Sequence, residues 1–250
     1  MTGVATRVSL VVGVLGGMGP MATADTFRRL VLATPARTDQ EHLHIIVDSD
    51  PSVPDRTAAL LHRGADPRPW LEASGRRLAA AGAEIVCMPC NTAHAFHSWL
   101  QERIPVPIVN MLEETGTAAA ATGCTSFGLL ATAGTVRTGL YQGVFERRGL
   151  TLLSPSEPAQ DHVSRAIAAI KAGESVGDLC GPAVRELLGR GIETLVVGCT
   201  ELSLIAGSLA DSALVIDALD VLVRVTVEAA LQGGPVHVPP VEPRGVADVA

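Results

Sequence analysis

Glu84-Ile-Val-Cys-Met-Pro-Cys90-Asn-Thr-Ala-His94 and, further along, Glu193-Thr-Leu-Val-Val-Gly-Cys199-Thr-Glu201 are two versions of one pattern. In each, a β-branched apolar run stops at a cysteine and a helix-like stretch begins with polar residues. A strand that ends where a helix begins puts its junction side chain at the mouth of an α/β sheet, against helix N-terminal amides that favour anionic groups. A cysteine so placed can ionise below its ordinary range, and the thiolate is its reactive form. Two such junctions point to a pair of thiols working on one ligand.

Outward from these junctions, strand-like runs alternate with Ala-rich amphipathic segments. The strands are expected at Val8 to Leu15, His44 to Val47, Ile85 to Met88, Ile108 to Asn110, Ser126 to Leu130, Leu150 to Leu153, Thr194 to Val197 and Leu214 to Ile216. Helices are expected at Ala22 to Ala33, Pro69 to Ala81, Thr115 to Ala121, Gly139 to Arg148, Asp161 to Lys171 and Gly181 to Arg190. Such alternation implies an α/β fold with parallel sheets covered by helices. The opening turn, Leu15-Gly-Gly-Met-Gly-Pro-Met-Ala, has a weak counterpart at Leu130-Ala-Thr-Ala-Gly-Thr-Val-Arg, 115 residues on, and the cysteine units repeat 109 residues apart. We therefore expect two similar Rossmann-like lobes related by a pseudo-twofold, with a cleft between their sheet mouths. One lobe takes residues 1–112 and 217–250, with helix Ala218 to Leu231 returning to it, and the other takes 113–216. Gln232 to Ala250, rich in Pro and Gly, reads as a loose tail.

The chain has 250 residues, 47% of them hydrophobic, and a net charge of −7. That leaves ample core material, and the near absence of Lys/Arg runs excludes nucleic acid or an anionic membrane as a principal partner. A small-molecule partner is expected. The apolar N-terminus breaks at Gly16-Gly17 and reads as a strand rather than an export signal. No run reaches the length of a membrane span. Five cysteines, an odd count, favour free thiols in a reducing cytoplasm.

Cys87 and Cys90 form a C-x-x-C, yet Cys87 belongs inside the strand and no second ligand pair supports zinc. Cys87, Cys124 and Cys180 are expected to pack in the core, and no metal is expected. Gly17-Met18-Gly19-Pro-Met-Ala22 fits a dinucleotide fingerprint, with Asp48 or Asp50 as the ribose acid, and NAD binding is the competing reading. Pro20 removes an amide that would face a pyrophosphate, which favours a loop receiving a small carboxylate. Arg56, on a loop stiffened by Pro51 and Pro54, suits bidentate carboxylate binding, though an ion pair with Asp55 is the plainer alternative. His97 is expected to be structural, His94 to support the loop.

Taken together, Gly16-Gly-Met-Gly-Pro-Met-Ala-Thr-Ala-Asp25, Pro54-Asp-Arg56, Met88-Pro-Cys-Asn-Thr-Ala-His94 and Gly198-Cys-Thr-Glu201 resemble the cofactor-independent aspartate/glutamate racemase family, from about Val8 to Leu231. The aspartate branch is the nearer one. Glutamate racemases usually carry histidine where Glu201 stands and Asp-Ser-Gly where this chain has Gly-Gly-Met-Gly-Pro. The resemblance implies racemisation of aspartate without pyridoxal or any other cofactor, Cys90 and Cys199 as catalytic acid and base, and a homodimer. It also implies substrate-binding roles for Met18, Gly19, Arg56, Asn91, Thr92, Thr132, Thr135, Lys171, Thr200 and Glu201. Inverting an α-carbon needs a base on one face and an acid on the other, which one thiolate and one thiol supply. Donors around the α-carboxylate would stabilise the carbanion-like transition state.

Overall fold

The computed structural model describes residues 9–210 and 213–232. The first half runs β1 (Val12–Gly16), α1 (Pro20–Ala33), β2 (Ile45–Ser49), α2 (Arg56–Leu60), α3 (Arg68–Ala80), β3 (Ile85–Cys87), α4 (His97–Gln101) and α5 (Met111–Ala121). The second runs β4 (Ser126–Ala131), α6 (Ala133–Arg137), α7 (Leu140–Glu146), β5 (Thr151–Leu153), α8 (Glu157–Ala172), α9 (Gly181–Gly189), β6 (Thr194–Gly198), α10 (Ala206–Ala210), β7 (Leu214–Asp217) and α11 (Ala218–Gln232). Both sheets are parallel, in the orders β2-β1-β3 and β5-β4-β6-β7. Each cysteine follows the strand beside its sheet's first strand. The start of the first expected strand, at Val8, and the tail after Gln232 lie outside the described residues.

The apolar runs are continuous because both sheet faces are covered. Val12, Val14, Ile85 and Cys87 enter one core of the first sheet, while Leu15, Val86 and Met88 enter the other. Phe127 and Leu129 likewise face one side of the second sheet, and Leu130 and Leu195 the other. Cys87 is fully buried, and burial pushes its thiol up to about 12, which suits packing. Cys180 is buried as well, whereas Cys124 is half-buried beside Thr194, packed against the edge of the core around Phe127 and Phe145.

The expected strand at Ile108 to Asn110 reduces to one bridge, Val86 to Ile108. Pro105 and Pro107 lead into it without backbone donors, so the ladder cannot extend. Its counterpart in the second half, β7, does pair along its length with β6. The expected boundary between residues 112 and 113 falls inside a helix: the Asn110 side chain accepts from the Leu112 and Glu113 amides and starts α5. Leu112 and Ala119 of α5 join the core under β4, with Phe127 and Phe145. In exchange, Leu219, Leu222 and Val223 of α11 join Val12, Val14 and Ile85 under the first sheet. Each half thus lends its last helix to the other sheet. Among the described residues no helix is long and apolar enough to cross a membrane.

Candidate active site

Past β3, the chain forms a tight 3₁₀ turn at Thr92–Phe96. Past β6, it does the same at Leu202–Ile205. The expected helices at the cysteines are therefore single turns, with α4 and α10 only beyond them. Cys90 and Cys199, both buried, line one narrow cleft with a cavity volume of about 20 Å³. Met18, Arg56, Asn91, Thr92, Thr132, Lys171, Thr200 and Glu201 line it too, as do Asp55 and Thr57. Gly19 instead lines an adjoining chamber of about 210 Å³, shared with Met18, Arg56, Lys171 and Glu201. Thr135 is fully buried, its hydroxyl bonded to those of Thr92 and Thr132.

The loop after β1 needs a left-handed residue at Gly17, φ 90°, where a Cβ would sit 2.3 Å from the Asp50 backbone. Its amides are occupied from within the chain. Thr23 Oγ1 accepts from Gly17 N at 2.8 Å, and Glu201 Oε1 accepts from Gly19 N at 3.1 Å. The carboxylate received at the start of α1 is therefore that of Glu201. Asp48 and Asp50, the ribose acids of the competing reading, are bound to Arg77, with Ser74 on Asp48 and Ser52 on Asp50.

Glu201 also governs Cys199. Its Oε2 accepts from Cys199 Sγ at 3.1 Å, and Lys171 Nζ stands 3.8 Å from Oε1. Burial first, and then the Glu201 charge and hydrogen bond, hold the Cys199 thiol well above its ordinary range, with Lys171 opposing. The expected depression by helix amides is overturned here, because one short turn cannot outweigh burial and an adjacent carboxylate. Among the described residues, no carboxylate hydrogen-bonds to Cys90 Sγ. Thr200 crosses between the loops, its hydroxyl donating to Pro89 O at 3.1 Å.

Arg56 makes no ion pair with Asp55, which caps α2 by accepting from Ala58 N at 2.6 Å. The Arg56 guanidinium donates to the carbonyls of Val53, Pro54 and Met18 at 3.0 to 3.1 Å, tying its own loop to the β1 loop. Its Nε is buried without a partner, as is Nδ2 of Asn91. Two orphaned donors on residues lining one cleft are what a bound carboxylate would satisfy. His94 supports the Cys90 loop. Met111 N donates to its Nε2 at 3.1 Å, which leaves Nδ1–H to donate to Cys90 O at 2.9 Å. Burial, and then neighbouring His97, lowers the His94 pKa to about 4, so the ring is neutral. His97 donates to Ile108 O and is structural.

Asp55 was expected only as an ion-pair partner of Arg56, and Thr57 and Tyr141 were not singled out in the sequence. The cap pattern Asp55-Arg-Thr-Ala58 could have marked Asp55, whereas Tyr141 reaches Asn91 only through tertiary contact. Among the described residues, no three His, Cys, Asp or Glu side chains converge as a metal site requires.

Residues 15–226 match the model of the family described as Asp/Glu/Hydantoin racemase. The broad specificity amino-acid racemase RacX of Bacillus subtilis is 24% identical over 88% of this chain and 98% of its own length. A glutamate racemase of Pseudomonas aeruginosa is 34% identical, over only 56% of this chain and 54% of that enzyme. Among solved structures, the aspartate racemase of Picrophilus torridus superposes with a TM-score of 0.80 at 28% identity, covering 88% of this chain and 94% of that one. With a match that spans most of its length and both cysteine junctions, the chain belongs to the Asp/Glu/hydantoin racemase family and is an amino-acid racemase.

Proposed function

We propose that the protein racemises aspartate by a two-thiol proton transfer at the α-carbon, with Cys90 and Cys199 on opposite faces of the substrate. The observation that carries this reading is that both thiols line one cleft, two of whose lining residues, Asn91 and Arg56, each carry a buried donor without a partner. The α-carboxylate accepts from these donors and from the Thr92 and Thr132 hydroxyls, which lowers the cost of carbanion character at Cα. In one direction Cys90 thiolate removes the α-proton and the Cys199 thiol delivers its own to the opposite face. In the other direction Cys199 must first lose its proton, and Glu201 Oε2 is 3.1 Å away to take it. Lys171 offsets the negative charge gathered there and pairs with the substrate's second carboxylate.

Support for aspartate comes from Glu201 standing in place of the histidine of glutamate racemases, from the Gly-Gly-Met-Gly-Pro loop, and from likeness to the Picrophilus enzyme. A second reading, a substrate with a longer side chain, is favoured by the adjoining chamber walled by Pro20, Met21, Pro51 and Ile170. The broad specificity of the Bacillus relative points the same way. The reading also carries lobes of residues 1–112 plus 217–250 and 113–216, a homodimer and a cytoplasmic location. Sedimentation equilibrium tests the dimer.

The deciding experiment incubates the protein with L- or D-aspartate in deuterated water, following α-deuterium by NMR and enantiomers by chiral chromatography. Deuterium entering both enantiomers with full racemisation is expected. Exchange confined to longer amino acids would overturn aspartate as the substrate, and inertness toward a broad panel would overturn the racemase reading.

A further inference from the structure

Tyr141 is the chain's only tyrosine and is fully buried. It stands on α7, which starts after Gly139, a left-handed residue with φ 64° that breaks the run from α6. Its hydroxyl donates to Asn91 Oδ1. The same ring packs against Gly198, where a Cβ would lie 3.0 Å from Tyr141 Cε2. One side chain from the second half therefore touches the residue after Cys90 and the residue before Cys199.

An amide has one accepting end and one donating end. With Oδ1 bound to Tyr141, Asn91 is left with Nδ2 buried and unpartnered on a cleft-lining residue. A flipped amide would set its oxygen toward an incoming carboxylate and its N–H groups toward a hydroxyl, leaving the carboxylate without that donor. Burial pushes the Tyr141 pKa up, so the hydroxyl stays a donor across the working range. From this geometry we infer that Tyr141 is a positioning residue, which fixes the Asn91 amide so that its nitrogen donates to the substrate's carboxylate. The inference rests on the racemase reading and adds to it a residue that never meets the substrate.

Packing is the competing role, since the ring also stands edge-on to Phe145 with centroids 6.1 Å apart. Tyr141→Phe keeps that packing and removes only the hydroxyl. We expect it to lower kcat/KM for L-aspartate roughly 10- to 100-fold, the worth of a hydrogen bond to a charged group. In an Asn91→Ser background the same change should cost less than about twofold, because coupled residues do not add. Equal losses in both backgrounds, or a Tyr141→Phe enzyme within about twofold of wild type, would overturn the inference.

A readout that needs no turnover is the ¹⁵N–¹H signal of the Asn91 side-chain amide, assigned by its absence in Asn91→Ser. A shift on adding L-aspartate is expected, and an unmoved signal under saturating L-aspartate would overturn the inference. Wild-type protein that exchanges no α-proton would sink the racemase reading alone. Comparing the amide signal between wild type and Tyr141→Phe would still decide the part played by Tyr141, since a variant whose free signal and response are unchanged overturns the inference.

Discussion

Counted from its cysteine, each loop sends the residue two positions on into the opposite half of the molecule: Thr92 to Thr132 and Thr135, Glu201 to the Gly19 amide. The residue four positions on fastens each loop to the start of the helix that changes halves. His94 accepts from Met111 N of α5, and Ser203 Oγ donates to Asp217, which precedes α11. The plan is twofold, but its contents are not. Neutral hydroxyls and a neutral imidazole surround the Cys90 loop. The Cys199 loop holds Glu201 and Lys171, and Arg29 reaches across from α1 to Asp217 and Ser203 O. A symmetric scaffold thus brings two cysteine loops to one cleft while giving each thiol chemically different neighbours.

Removing either thiol should break the pairing most severely. Cys90→Ala and Cys199→Ala should each lower racemisation about 10³-fold, the scale of losing a general acid or base. Each should retain α-proton exchange with one enantiomer only, and not the same one, as deuterium NMR would read. Both variants exchanging the same enantiomer would show that the thiols do not face opposite sides.

The anchors come next. His94 is neutral in the fold with a pKa of about 4, against 6.5 for a free imidazole, so it costs nothing above pH 6.5. As pH falls from 6.5 toward 4 the unfolded chain takes up a proton that the fold excludes, and stability drops by about 2 kcal/mol at pH 5. Urea midpoints at pH 7 and pH 5 would read it, and His94→Asn should flatten the difference. A third change addresses charge. Glu201→Gln removes the negative neighbour that raises Cys199, so carboxymethylation of Cys199 at pH 8 should quicken about tenfold by mass spectrometry. An unchanged rate would mean burial alone protects the thiol. Smallest is Thr200→Val, which deletes the hydroxyl bonded to Pro89 O and should cost about 1 kcal/mol in urea unfolding.

Much of this was legible in the sequence, because parallel strands covered on both faces read as unbroken apolar runs, and because the repeat exposed the paired junctions. Helix starts were less so. The α1 and α8 helices begin earlier than their apolar periodicity does, at Pro20 and at Glu157-Pro158, where proline occupies the first turn and needs no partner for a missing N–H. The Ile108 strand failed for the opposite reason, prolines where ladder donors were needed. At the site, ten of the twelve residues named from sequence line the cleft. What sequence could not reveal was occupancy: three carbonyls take up the Arg56 guanidinium, and Glu201 fills the amide loop meant for a ligand. Both are contacts between segments far apart in the chain, or between a side chain and backbone whose path only the fold defines.

The exchange of α5 and α11 bears on how the protein is made. Val12, Val14 and Ile85 present an apolar face that Leu30 and Met111 cover in part and that is closed only when residues near Leu219 to Val227 arrive. At ribosomal speeds of about 5–20 residues per second, that face waits on the order of ten seconds after β3 has been synthesised. The half translated first is therefore the half completed last.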